Sequence, residues 1–236
     1  MAITESGTGA VNSAASGSAI SITHGLTINS GDIVLAFIAM NSTNRTFTDN
    51  NGATPFTNVI TENTPASGSS ATYAIRYRVA GASEPASYNW TANTSTQEWG
   101  VQIRVFSGVH ADVWDVTPSA STRTGSSADG TTATAPTMTI GTTGSLGICL
   151  FITDGFVTVR TYSGVTNGYA AELEGGTNHS MASYHRTWAS TGATGTTDAT
   201  LSGSDDWTAH QFALKPAAGG LDFTHTGAIS ATGTLT

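Results

Sequence analysis

Between Ala71 and Phe106 apolar and polar side chains alternate. Tyr73, Ile75, Tyr77 and Val79 interleave with Ala74, Arg76 and Arg78, the spacing of a strand with one buried face. Glu84-Pro85 breaks the run, because proline has no ladder donor and biases its predecessor away from the helical region. Tyr88 and Trp90 restart it, and Trp99, Val101, Ile103 and Val105 carry a third strand. These three strands are predicted to form the middle of one antiparallel sheet, with Trp90 and Trp99 facing the core. Ile33 to Met40 is apolar at every position, which predicts a central strand covered on both sides.

Shorter pieces extend the pattern. Ile20 with Ile22, Leu26 with Ile28, and Phe56 to Thr61 precede the organising strands. Pro136 to Ile140, Leu146 to Ile152, Phe156 to Thr161, Gly168 to Leu173, Met181 to Trp188 and Trp207 to Leu214 follow them. Asn41 to Pro55 reads as a loop, and Gly108 to Gly130 as a long excursion anchored by Val113-Trp114. No stretch keeps a helical period beyond a turn or two. Short strands at this spacing predict an all-β chain, an antiparallel β-sandwich of jelly-roll type, over residues 1–216. After Lys215-Pro216 the composition shifts, so 217–236 is predicted to be a linker and a C-terminal arm.

Composition narrows the function. Only 10% of the residues are charged, against roughly 25% in an ordinary soluble domain; Thr, Ser, Gly, Asn and Ala take their place. The net charge is −8, and Lys215 is the single lysine. Nucleic-acid binding needs a clustered basic surface, so neither nucleic acid nor an anionic membrane is an expected partner. Cys149 is the one cysteine; it lies in an apolar run and is expected to be a core residue. With no second cysteine there is no intrachain disulfide, which fits folding in a reducing cytoplasm. Met1 to Gly7 carries neither a basic region nor an apolar core, so no secretory signal is expected.

Candidate chemistry is sparse. His24, His110, His179, His185, His210 and His225 form no HExxH or other close ligand spacing, and no metal or cofactor is expected. Serines abound, but none stands in a nucleophile elbow. Asp49 to Gly52 and Asp205-Asp206 could offer oxygens to calcium, yet both read better as turns. A glycosidase needs two carboxyls across a sugar bond. Glu62, Glu84, Glu98, Glu172 and Glu174 are available but cannot be paired from spacing, and Glu84 reads as a turn residue. Trp114 and Trp188 remain eligible to stack on a glycan.

Several phrases carry a family resemblance. Ser30 to Ala39, Tyr77 to Thr91, Val105 to Val109 and His210 to Pro216 resemble the "GDlllafva", "yRvA…EPasYtwt" and closing-strand phrases of a group of phage and bacterial jelly-roll β-sandwich proteins. The resemblance spans about residues 20–216 and implies a fold more than a reaction. Members of the group occur as phage structural proteins, including capsid-surface and tail or fibre components. The resemblance therefore implies a non-enzymatic virion protein, made in the host cytoplasm, that binds neighbouring capsid or tail subunits. Self-association, for example as a trimer, is expected with it. Leu221, Phe223, Ile229 and Leu235 of the arm are the expected partner contacts. A carbohydrate-binding module for host-surface glycans is the alternative, and a hydrolase a third reading.

Overall fold

The computed structural model describes residues 1–218 except 15, 53, 64–70, 94–96, 120–122, 154–158 and 176–179. Among the described residues the chain is all strand and no helix, an antiparallel β-sandwich as the alternation predicts. The first sheet comprises β1 (Thr4–Glu5), β2 (Ala10–Ala14), β4 (Ile33–Met40), β6 (Thr57–Asn63), β7 (Thr72–Val79) and β9 (Trp99–Ser107). Its order is β9-β4-β7-β6, with β1 and β2 sharing the outer edge of β9. A small sheet of β3 (Ala19–Thr23), β8 (Ser87–Ala92) and β5 (Phe47–Asp49), in the order β3-β8-β5, covers it.

The second half of the chain repeats this plan. Its strands are β10 (Val109–Val116), β11 (Arg123–Ala135), β12 (Thr139–Ile140), β13 (Leu146–Thr153), β14 (Tyr162–Ser163), β15 (Ala170–Gly175), β16 (Met181–Thr187), β17 (Gly192–Ala193) and β18 (Thr197–Pro216). The order is β18-β13-β16-β15, with β10 and the start of β11 sharing the outer edge of β18. The end of β11, the start of β18 and β14 pair with one another as β3, β8 and β5 do. Equivalent positions follow from the registers. Leu35 lies between Tyr77 and Arg104, and Ile148 between His185 and Phe212. Glu5 opposes Phe106, and Trp114 opposes Leu214. Both edge strands carry a register shift at the same place, between Asn58 and Ile60 in β6 and between Ala170 and Leu173 in β15.

The halves stack with their large sheets face to face, giving four layers. Ile33, Leu35 and Phe37 of β4 meet Leu146, Ile148 and Leu150 of β13 in the central core. The alternate residues Val34, Ala36 and Ile38 face the small sheet, where Ile20, Ile22, Tyr88 and Trp90 cover them. Cys149 and Phe151 face outward from β13 under Tyr162, Ala199 and Leu201. Both central strands are thus apolar on two faces for one reason. Each fully buried large side chain contributes about 1.5–3 kcal/mol, and these strands have no wet side.

Three expectations need correction. The strands rich in Tyr and Trp do not share a sheet: β7 and β9 flank β4, while β8 crosses into the covering layer, because Tyr88 and Trp90 bury against the outer face of β4 and β9. The loop expected over Asn41 to Pro55 contains β5, which adds to β8. The excursion expected over Gly108 to Gly130 is largely ladder, β10 and the first part of β11, added to the edge of β18. Part of the strand expected from Phe156 to Thr161 lies outside the described residues; Tyr162 begins the strand that is described there.

Gly108 joins the halves. Its φ is +76°, and a Cβ built there would lie 2.4 Å from the Ala2 carbonyl oxygen, while its own oxygen accepts from Ala217 N at 2.8 Å. Gly108→Ala is therefore expected to cost about 1–3 kcal/mol through left-handed strain and backbone collision. A urea midpoint equal to that of the parent would show that the joint tolerates a side chain.

Candidate functional site

Stacking the sheets creates two seams, one where β9 lies over β16 and one where β7 lies over β18. The equivalent positions are filled by opposite chemistry. At the second seam Trp114, Tyr77 and Phe212 pack edge to face, with ring centroids 5.5 Å and 6.0 Å from that of Trp114. Beside them Tyr73 Oη and His210 Nε2 are 2.9 Å apart.

At the first seam the same three positions hold Glu5, His185 and Arg104. Arg104 Nε and Nη2 donate to the two oxygens of Glu5 at 2.7 Å and 2.9 Å. His185 Nε2 lies 2.8 Å from Glu5 Oε2; a carboxylate only accepts, so that nitrogen carries the proton. The guanidinium also donates to Ser183 O at 2.7 Å. Ser183 Oγ donates to Gln102 Oε1 at 2.8 Å, and Gln102 Nε2 donates to Leu173 O and Met181 O. Arg104 is 1% exposed, so this network lies inside the sandwich. The Ser183 hydroxyl is directed at an amide and His185 at a carboxylate, so their nearness does not form a nucleophile with its base.

Glu5 is held below the ordinary carboxyl value of 4.5: burial alone would raise it, but the His185 hydrogen bond and the Arg104 charge outweigh that. A carboxyl depressed in the native state contributes stability above its unfolded pKa, lost as pH falls through the native value. The urea midpoint is therefore expected to fall as the pH drops below the ordinary carboxyl value of 4.5, with a shallower fall in Glu5→Gln. An unchanged acid slope in that variant would detach Glu5 from acid sensitivity.

The Glu-Pro phrase builds a second network. Arg78 Nη2 lies 3.1 Å from Glu84 Oε1, both side chains being nearly sealed from solvent. Glu84 also accepts from Gly81 N and Tyr88 Oη, at 2.7 Å and 2.8 Å. The guanidinium sits 5.5 Å and 5.7 Å from the ring centroids of Phe56 and Tyr88. Burial, then the bond to Glu84, pushes the Tyr88 phenol well above its usual range. Glu84 is thus more than the turn residue expected. His24 stacks on Tyr88 at 5.1 Å, and its Nε2 donates to Pro85 O while its Nδ1 accepts from Leu26 N. A cleft of about 400 Å³ opens beside it.

A third cluster lies on the covered side of the second half. Tyr184 Oη donates to Glu172, and Tyr162 N donates to Glu174 Oε1 at 3.0 Å. Burial, then the neighbouring Glu172, raises the Glu174 carboxyl. Glu172 borders two clefts. One, of about 320 Å³, is floored by Tyr162, Tyr169 and Tyr184. The other, of about 290 Å³, reaches Glu5, Thr8 and His185.

The other candidates fall into place individually. Asp49 accepts from Asn51 N, Asn51 Nδ2 and Phe56 N, the bonding of a turn. Asp205 pairs with Arg160 at 2.9 Å. Glu98 accepts from Asn41, and the Glu62 side chain lies outside the described residues, as do His179 and His225. Among the described residues no group of three or more His, Cys, Asp or Glu is placed to hold a metal ion. Cys149 is buried, and burial raises its thiol well above the usual value. Trp114 is the anchor of the aromatic seam. Trp188 lies under the Arg186 guanidinium, 4.0 Å from its ring centroid, with Tyr169 at its edge. Both rings are half-buried and pack against these neighbours. Leu221, Phe223, Ile229 and Leu235 lie outside the described residues. The Glu5 network escaped the sequence reading, since its partners are far apart along the chain and Thr4–Glu5 shows no alternation.

No family model, curated protein or solved structure matches this chain.

Proposed function

We propose that this chain is a non-enzymatic structural protein of a phage virion, seated on the capsid surface or on a tail or fibre. The observation that carries the reading is the pair of sheet edges, β6 and β15, that are paired on one side only among the described residues, on a body whose buried ion pairs are closed within the chain. Such edges offer main-chain donors and acceptors to a neighbouring subunit, and Leu221, Phe223, Ile229 and Leu235 are proposed as apolar contacts beside them. The order β2-β9-β4-β7 against β3-β8-β5 supports a jelly-roll reading of each half, and with it the resemblance of the Gly31-Asp32 and Glu84-Pro85 phrases to phage proteins. The acidic, lysine-poor composition suits a protein contacting other proteins rather than packaged nucleic acid. Closed self-association, a trimer among the options, fits such a role. Mass spectrometry of purified particles tests the proposal: the chain is expected among the stoichiometric virion proteins, and its absence from them rejects the reading.

A further inference from the structure

The repeat supplies an internal control on which residues the fold requires. At the sister seam the positions of Glu172, His185 and Glu5 are held by Val59, Tyr77 and Trp114, and that seam closes on packed rings. At the Glu5 seam the same backbone layout carries ionisable side chains and leaves two clefts that meet at Glu172. Packing alone does not ask for charges here, because the sister site is built without them. We propose that this double cleft binds a neutral oligosaccharide, with Glu172 between two sugar subsites.

The chemistry selects that class. Carboxylate oxygens at Glu172 and hydroxyls at Thr8 and Ser163 match the paired donors and acceptors of a sugar ring, and the buried Tyr184, whose hydroxyl donates to Glu172, holds that carboxylate in place. Each cleft has about the volume at which small-ligand sites begin, roughly 300 Å³. An anion is disfavoured by Glu5, Glu172 and Glu174, since the nearby Arg104 guanidinium is sealed behind Glu5. A metal ion lacks a ligand set among the described residues. An apolar guest would strip water from these carboxylates without replacing it.

Isothermal titration with hexasaccharides of glucose, mannose, galactose and N-acetylglucosamine tests the site, at about 0.15 M and about 1 M salt. At least one probe is expected to bind, with little change between the two salts. Glu172→Gln and Tyr184→Phe are each expected to weaken binding about tenfold or more. Trp114→Phe, at the sister seam, is expected to leave it within about twofold. An unchanged thermal midpoint in the Glu172 and Tyr184 variants separates lost binding from lost folding. The proposal is overturned if none of the four hexasaccharides binds, if binding survives both cleft substitutions, or if binding is abolished by salt and displaced by oligolysine, the mark of a cationic ligand.

Discussion

Arg104→Met is expected to lower stability by about 3–5 kcal/mol, read as a fall in the urea midpoint. The guanidinium and the Glu5 carboxylate are 1% and 9% exposed, so removing one leaves the other in a poor solvent. Arg104 also satisfies Ser183 O, a carbonyl that would lose its charged donor. The sister seam specifies the compensating change. There the three positions are Trp114, Phe212 and Tyr77, so Glu5→Trp, Arg104→Phe and His185→Tyr together copy a packing that the molecule already uses. Replacing a buried ion triad by well-packed apolar residues is often neutral or stabilising. The triple variant is therefore expected to regain most of what the single one loses. Two results would defeat the argument: a single variant less than about 1 kcal/mol below the parent, or a triple variant no better than the single.

Glu84→Gln is expected to cost about 2–3 kcal/mol. Glutamine can accept from Gly81 N through its one amide oxygen but can only donate to Tyr88 Oη through its nitrogen, and it cannot neutralise Arg78, whose guanidinium sits beside the Phe56 and Tyr88 rings. Arg78→Lys in the parent should also be destabilising, because an ammonium is a strongly hydrated point charge without the planar fork that reaches Glu84 from beside the two rings. A urea midpoint for Glu84→Gln within error of the parent would mean that the rings alone hold the cation. The Glu-Pro phrase would then be a turn signal and nothing more.

These networks show what was legible in the chain. Central strands announce themselves, since Ile33 to Met40 has no polar position and Leu146 to Ile152 has only a glycine and a cysteine among its apolar residues. Alternation at Tyr88 and Trp90 told which side chains bury, but not against which sheet, because a period of two is the same in either layer. Arg123–Ala135 was hidden for another reason: Gly, Ser, Thr and Ala dominate it, and its buried face includes Ala133 and Ala135, too small to stand out. The repeat was masked because equivalent positions exchanged charge for ring, as Arg104 and Phe212 do. Of the candidate cleft, Glu172 was visible only as one available carboxyl and His185 as a strand histidine. Their meeting with Glu5 depends on one half being laid over the other.

That stacking bears on how the chain reaches its native state. Among the described residues every ladder is formed within one half, from β1 with β9 to β10 with β18, and only side chains and the short bonds near Gly108 pass between them. Loop-closure entropy for strand pairing is thus set by about half the chain. Docking of the two large faces is left as a separate event, so the leading half can finish its hydrogen bonding while the trailing half is still being synthesised.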